Sequence, residues 1–151
     1  VSEAPEEARI IRTAREINDH KPEWVLAKVH QAVAEHAARH DRPARITCFG
    51  LAFKPNIDDL RESPALAIAT RLAEIYPAQV TIVEPFIRAL PAALAKNAAQ
   101  SGVQEGLDTA DIALMLVDHD EFRATPVPVR PDLHLIDTRG VWTGLTSQRN
   151  H

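Results

Sequence analysis

Ahead of Arg45 the apolar residues recur every three or four positions, the rhythm of a helix with one buried face. Ile10, Ala14 and Ile17 form one such stripe, behind Pro5 in a first turn that Glu6 and Glu7 complement. Lys21-Pro22 interrupts it, because a proline inside a helix removes a hydrogen bond and clashes with the preceding turn. A second helix is predicted beyond, capped by Asn18 or Asp19 with Pro22 in its first turn. It carries Val25, Val29, Ala32, Val33 and Ala37 on one face and ends near "RHDRPAR". From Arg45 the pattern shortens to apolar runs: "RITCFGLAF", "QVTIVEP", "DIALMLVDH" and "LHLIDTRG". Between the first two, Ser63 offers an N-cap, Pro64 an N1 residue, and Ala65, Ile68, Ala69, Leu72 and Ala73 a helical stripe. An alanine-rich helix is expected from about Pro91 to Ala99, then a short "LDTAD" segment. Strands apolar on both faces that alternate with helices make βαβ units around a parallel sheet. The fold class is therefore α/β, a Rossmann-like parallel sheet flanked by helices and preceded by two linker or dimerisation helices. The expected division is 1–42 for the helical segment and 43–151 for the α/β domain.

The chain has 151 residues, 45% hydrophobic and 25% charged, enough for one domain with a real core. Its net charge of -4 removes the electrostatic case for nucleic acid, so any anion site has to be built from a few local cations. Cys48 is the one cysteine, which excludes an intrachain disulfide and favours a reducing, cytoplasmic setting. No apolar run approaches the ~20 residues that span a bilayer. The start, "VSEAPEEARI", is acidic and lacks the apolar core of a secretory leader. Helical periodicity begins almost at once, and we read the chain as starting part-way through a larger protein.

The stretch "FGLAFKPNIDDLRESP", Phe49–Pro64, runs from a strand end to a helix start without dinucleotide glycine spacing. In an open parallel sheet ligands bind outside the carboxyl ends of the strands. Lys54 and Arg61 follow the first strand and Arg139 the last, in "IDTRG", so the topology can bring three cations to one edge. Such a set suits a diphosphate, with Arg donating bidentate bonds and Lys acting as a point charge. The helix amino terminus at Ser63 adds its dipole. The same cations also fit a solvated surface, with Asp58 and Asp59 close enough to neutralise Arg61.

The pattern G-x-A-F-K, then D-x-R-E-S-P, then a helix resembles the carboxyl-terminal, nucleotide-binding domain of the UDP-glucose/GDP-mannose dehydrogenase family. "VTIVEP", "VDHDEF", "IDTRGVW" and, upstream, "RTAREINDHKPEWV" extend the resemblance over nearly the whole chain. It implies that Phe53, Lys54 and Arg139 contact the UDP-sugar substrate and that Arg61 reaches toward the cofactor, NAD. It also implies an NAD domain in the same polypeptide and a homodimer, toward which the apolar faces of the leading helices point. Family members oxidise a sugar alcohol to a carboxylate in two NAD-dependent steps, through a cysteine thiolate and a glycine-fingerprint fold. Neither stands in this chain, and Cys48, inside a strand, is expected to be a buried inert thiol. We therefore expect a carboxyl-terminal portion with no catalytic residue of its own and no metal site.

His36 and His40 stand one helical turn apart, but without the carboxylate of an H-E-x-x-H pattern they read as a solvated helix end. "VDHDEF" reads as a capping turn into a short helix, although it faces the ligand edge. Glu84, ending the second strand, occupies a place where nucleotide folds put a ribose-binding acid, and Pro85 directly after it argues against that role. Trp24 and Trp142 read as packing aromatics. Two other readings stay open: a non-catalytic nucleotide-binding or assembly module, and a dehydrogenase of another nucleotide sugar.

Overall fold

The computed structural model describes residues 10–11, 22–128, 130–140 and 142. Six parallel strands form one sheet: β1 (Ile10–Ile11), β2 (Ile46–Phe49), β3 (Val80–Val83), β4 (Ala98–Gln100), β5 (Ile112–Met115) and β6 (His134–Asp137). Their spatial order is β1-β6-β5-β2-β3-β4. The helices are α1 (Pro22–Arg39), α2 (Pro64–Ile75), α3 (Ala92–Ala95), α4 (Val103–Thr109) and α5 (Asp120–Ala124). The chain direction across the sheet reverses between β2 and β5, which makes the crevice beyond their carboxyl ends the topological switch point.

Alternation along β2 divides the core into two layers. Ile46 and Cys48 pack with Val25 and Val29 of α1, Ile68 and Leu72 of α2, and Leu94 of α3. Phe49 points to the other face, among Leu107 of α4, Met115, Phe122 of α5 and Trp142. All five residues of the α2 stripe are buried, and Ser63 caps that helix by accepting from the Leu66 N–H. On α1, Val25, Leu26, Val29, Ala32 and His36 face inward while Ala37 is exposed. The apolar face that pointed to a second copy of the chain is thus covered, at Val25 and Val29, by the chain's own sheet.

Three local expectations need correction. The first leading helix was expected to cross Ile10, yet Ile10 and Ile11 form an edge strand, paired with Leu135 and Ile136. Adjacent β-branched residues suit a strand, and the β6 edge supplies the partner. The rest of that expected helix, with Asn18 and Asp19, lies outside the described residues. The alanine-rich helix stops at Ala95, and Ala98–Gln100 pairs with β3. Alanine favours helix intrinsically, but the open edge of β3 decides the outcome here. Finally, of "LDTAD" the first three residues, Leu107, Asp108 and Thr109, close a helix, α4, which begins at Val103.

Candidate functional site

The strands finish level with one another. Val83, Phe49, Met115 and Asp137 are register partners across β3, β2, β5 and β6, so the loops that follow rise from a single row. Gly50 closes this row with φ +98°, donating its N–H to the Val83 carbonyl at 2.9 Å. Leu116 and Val117 donate to the Phe49 carbonyl, which presses the β5 loop against Gly50. A Cβ at Gly50 would stand 2.5 Å from Val117 Cβ, so no larger residue fits.

The β2–α2 loop is closed on itself. The Ser63 hydroxyl donates to the Leu51 carbonyl at 2.6 Å, and the Phe53 N–H donates to the Asp59 carbonyl at 2.8 Å. Asn56 and Glu62 adopt left-handed backbone, at φ 64° and 55°. Phe53 (51% exposed) and Lys54 both face outward. Arg61 pairs with Asp59, Nε to Oδ1 and Nη2 to Oδ2, each at 3.0 Å. The guanidinium draws the Asp59 carboxyl down to about 2. The side chain of Arg61 is nonetheless 88% exposed, and the pair engages its Nε and Nη2.

Beneath that loop lies a buried pair. Glu84 and His119 have fully buried side chains, and Glu84 Oε1 lies 3.0 Å from His119 Nε2. The same oxygen accepts from the Leu51 and Ala52 N–H groups, and Oε2 accepts from Phe86 N–H. Burial pushes the Glu84 carboxyl up, but the bonds from His119, Leu51 and Phe86 hold it below the ordinary value. With its oxygens turned inward to these donors, Glu84 braces the loops and does not present a carboxylate to a ribose. His119 is also the N-cap position of the short helix α5, as the capping-turn reading of "VDHDEF" has it.

The β6 loop is organised by Asp137. Its Oδ1 accepts from the Arg139 and Gly140 N–H groups and its Oδ2 from Trp142 N–H at 2.6 Å. Burial raises the Asp137 carboxyl above its ordinary value, with these three bonds opposing the rise. Trp142 is buried edge-on to Phe49 and donates its Nε1–H to the Phe122 carbonyl. Anchored this way, Arg139 donates its Nε–H to the Leu116 carbonyl at 3.2 Å and lies 3.9 Å from Asp118, which also accepts from Arg123. Lys54 and Arg139 therefore rise from the same carboxyl edge, on the loops of β2 and β6, with the β5 loop between them.

Other candidates lie elsewhere or point inward. Cys48 is fully buried and its thiol is pushed up to about 12 by that burial. His36 corrects the solvated-end reading: it is buried at the end of α1, stacks on His40 and donates Nε2–H to the Arg42 carbonyl. Among the described residues no group of three or more His, Cys, Asp or Glu side chains is placed to hold a metal ion. At the same amino-terminal edge Arg42 grips Asp111 with two bonds, of 2.7 and 2.9 Å. Sequence reasoning missed the anchoring roles of Asp137, Asn56 and Asp118. An aspartate directly before "TRG" is an Asx-turn signal that could have found the first. Among the described residues no helix is long and apolar enough to cross a membrane.

Known proteins share this architecture and wording. The family model for the UDP-glucose/GDP-mannose dehydrogenase family, UDP binding domain, matches residues 47–144. A UDP-N-acetyl-D-mannosamine dehydrogenase of Salmonella typhi is 49% identical over 145 residues, which is 94% of this chain and 34% of that protein. An NDP-N-acetyl-D-galactosaminuronic acid dehydrogenase of Ralstonia nicotianae is 47% identical over 143 residues, 95% of this chain and 32% of that protein. The chain thus spans about a third of the length of these curated relatives. Among solved structures, a UDP-glucose dehydrogenase from Pyrobaculum islandicum superposes with a TM-score of 0.59 at 24% identity, covering 82% of this chain and 28% of that one. At that identity the likeness speaks for the fold alone.

Proposed function

As the chain belongs to the UDP-glucose/GDP-mannose dehydrogenase family, over the UDP binding domain of that family, we propose that its carboxyl edge binds the nucleotide part of a UDP-sugar. The observation that carries this reading is the level row of strand ends, from which the loops bearing Lys54 and Arg139 rise at the switch point. On this reading Lys54 meets the diphosphate as a point charge, Arg139 meets it as a planar cation, and Phe53 offers an apolar face.

The whole enzyme is then an NAD-dependent nucleotide-sugar 6-dehydrogenase, converting UDP-N-acetyl-D-mannosamine to UDP-N-acetyl-D-mannosaminuronate. The similarity to dehydrogenases bearing that substrate's name supports the choice. The near-equal identity to the Ralstonia enzyme supports a second reading, the same oxidation on an N-acetylgalactosamine nucleotide. NAD would take up the hydrides removed from the sugar alcohol. The Arg61 guanidinium, on a side chain 88% exposed, fits a cofactor phosphate. The described residues supply no nucleophile to this chemistry through Cys48, whose buried thiol stays protonated. The NAD domain of the same polypeptide, a homodimer and a cytoplasmic setting belong to the same proposal.

Calorimetric titration with UDP tests the site. Lys54→Ala and Arg139→Ala should each weaken binding by about 1.5–3 kcal/mol, the range for hydrogen bonds to charged groups. Arg61→Ala should leave UDP affinity intact and raise the Michaelis constant for NAD in the full-length enzyme. UDP affinity untouched by both of the first two changes would defeat the assignment.

A further inference from the structure

We infer that His119 is a positioning residue for the nucleotide-sugar site: with Glu84 and Asn56 it clamps the β2–α2 loop at root and tip, holding Phe53 and Lys54 in the arrangement that receives the ligand. This rests on the function proposed above for that loop.

The direction of each bond fixes the state of the ring. His119 Nδ1 lies 2.7 Å from the backbone nitrogen of Asn56, and a backbone N–H only donates. Nδ1 must therefore accept, and the ring hydrogen sits on Nε2, aimed at Glu84 Oε1 at 3.0 Å. That carboxylate oxygen also receives the Leu51 and Ala52 N–H groups, at the root of the loop. One imidazole thus ties root to tip. Asn56 completes the clamp from its own side chain, whose Oδ1 accepts the Asp120 N–H at 2.9 Å. An asparagine suits the left-handed φ of 64° there.

The ring itself packs against two aromatics, with Phe86 at 4.8 Å and Phe122 at 5.2 Å between centroids. Phe53 and Lys54 fall between the two clamped positions, Ala52 and Asn56. Their backbone is ordered by the clamp before any ligand arrives, while their side chains face outward. A loop ordered beforehand spares the ligand the entropy of ordering it. The sequence reading left His119 and Glu84 without roles; this geometry assigns both to the loop and neither to the ligand.

Two substitutions of His119 separate the halves of the clamp. In His119→Gln the amide nitrogen stands where Nε2 does and keeps the bond to Glu84, while nothing accepts from Asn56. In His119→Asn the carboxamide stands where Nδ1 does, its oxygen still accepts from Asn56, and the root stays tied to Glu84 through the Leu51 and Ala52 N–H groups. In the full chain, UDP affinity should fall about tenfold in His119→Gln and stay within about threefold of wild type in His119→Asn. Amide hydrogen exchange at Asn56 should accelerate in the first variant and not in the second. A residue important only for stability would not show that rescue.

Equal UDP affinity in the two variants, or wild-type affinity in His119→Gln, overturns the inference. If the His119 variants do not fold, Asn56→Gly decides: it keeps the backbone conformation and deletes the link to Asp120. UDP binding should then weaken about threefold, and unchanged binding overturns the inference. A wild-type chain that binds no UDP overturns the reading of the site and this inference with it. Tight wild-type binding that ignores the clamp overturns the inference alone.

Discussion

Gly50 is held by two constraints at once, a positive φ and a neighbouring loop within van der Waals contact. Gly50→Ala adds a methyl group that would stand 2.5 Å from Val117 Cβ and 2.9 Å from its backbone, so the β5 loop must move. We expect a loss of about 2–4 kcal/mol, combining overpacking with left-handed strain. A urea titration that gave an unchanged midpoint would refute this. Cys48 illustrates the opposite case, a residue whose role was legible from its neighbours. Flanked by Thr47 and Phe49 within an apolar run, it could only sit inside a strand, and it is fully buried there. Lys54 and Arg139 were legible as cations after strand ends. The anchoring of Arg139 was not, because it depends on a carbonyl at Leu116 and a carboxylate at Asp118 that reach it only through the fold.

At the scale of elements, buried carboxylates tie strands to loops. Asp111 joins the start of β5 to the segment before β2 through Arg42 and the Arg45 N–H. Glu84 joins the end of β3 to the β2 loop. For Asp111, burial raises the carboxyl, but the bonds from Arg42 and Arg45 prevail and hold it below its ordinary 3.8; Glu84 is likewise held below 4.5. Unfolded, both groups take up protons at higher pH than they do folded. Their contribution is therefore complete above those ordinary values and is lost as pH falls through the depressed ones. Asp137 opposes them: its carboxyl is raised, so protonation there favours the folded state as pH falls. Asp111→Asn should cost about 1–3 kcal/mol at pH 7, and the gap from wild type should narrow below pH 4. Urea melts at both pH values measure this, and a gap that widened in acid would contradict it. The helix α2 was readable to its cap because Ser63-Pro64 and the apolar stripe are local signals. The strand β4 was not, since its three residues, Ala98–Gln100, are strand only by virtue of β3 beside them.

For the whole molecule, the decisive feature is the reversal of strand order between β2 and β5, which opens a crevice at the carboxyl edge. A ligand bound there touches loops from several strands and so stabilises the sheet as a unit. UDP at about 100 times its dissociation constant should add about 2.7 kcal/mol, a rise of roughly 5–10 °C in melting temperature for a domain of this size. A melting curve unmoved by saturating UDP would count against binding at this edge. The acidic chain gives no comparable expectation for nucleic acid.

The sequence by itself determined the α/β class, the four inner strands, the cap and stripe of α2, the burial of Cys48 and the family. Each of these is written in short-range patterns of apolar residues, turn formers and motif spacing. Only the tertiary structure decided which strands are neighbours, that Ile10–Ile11 completes one edge and Ala98–Gln100 the other, and that Glu84 turns inward to His119. Those outcomes depend on contacts between residues 18 or more positions apart. Local propensity carries no information about them, because the partner that satisfies each backbone edge or buried carboxylate arrives only with the fold.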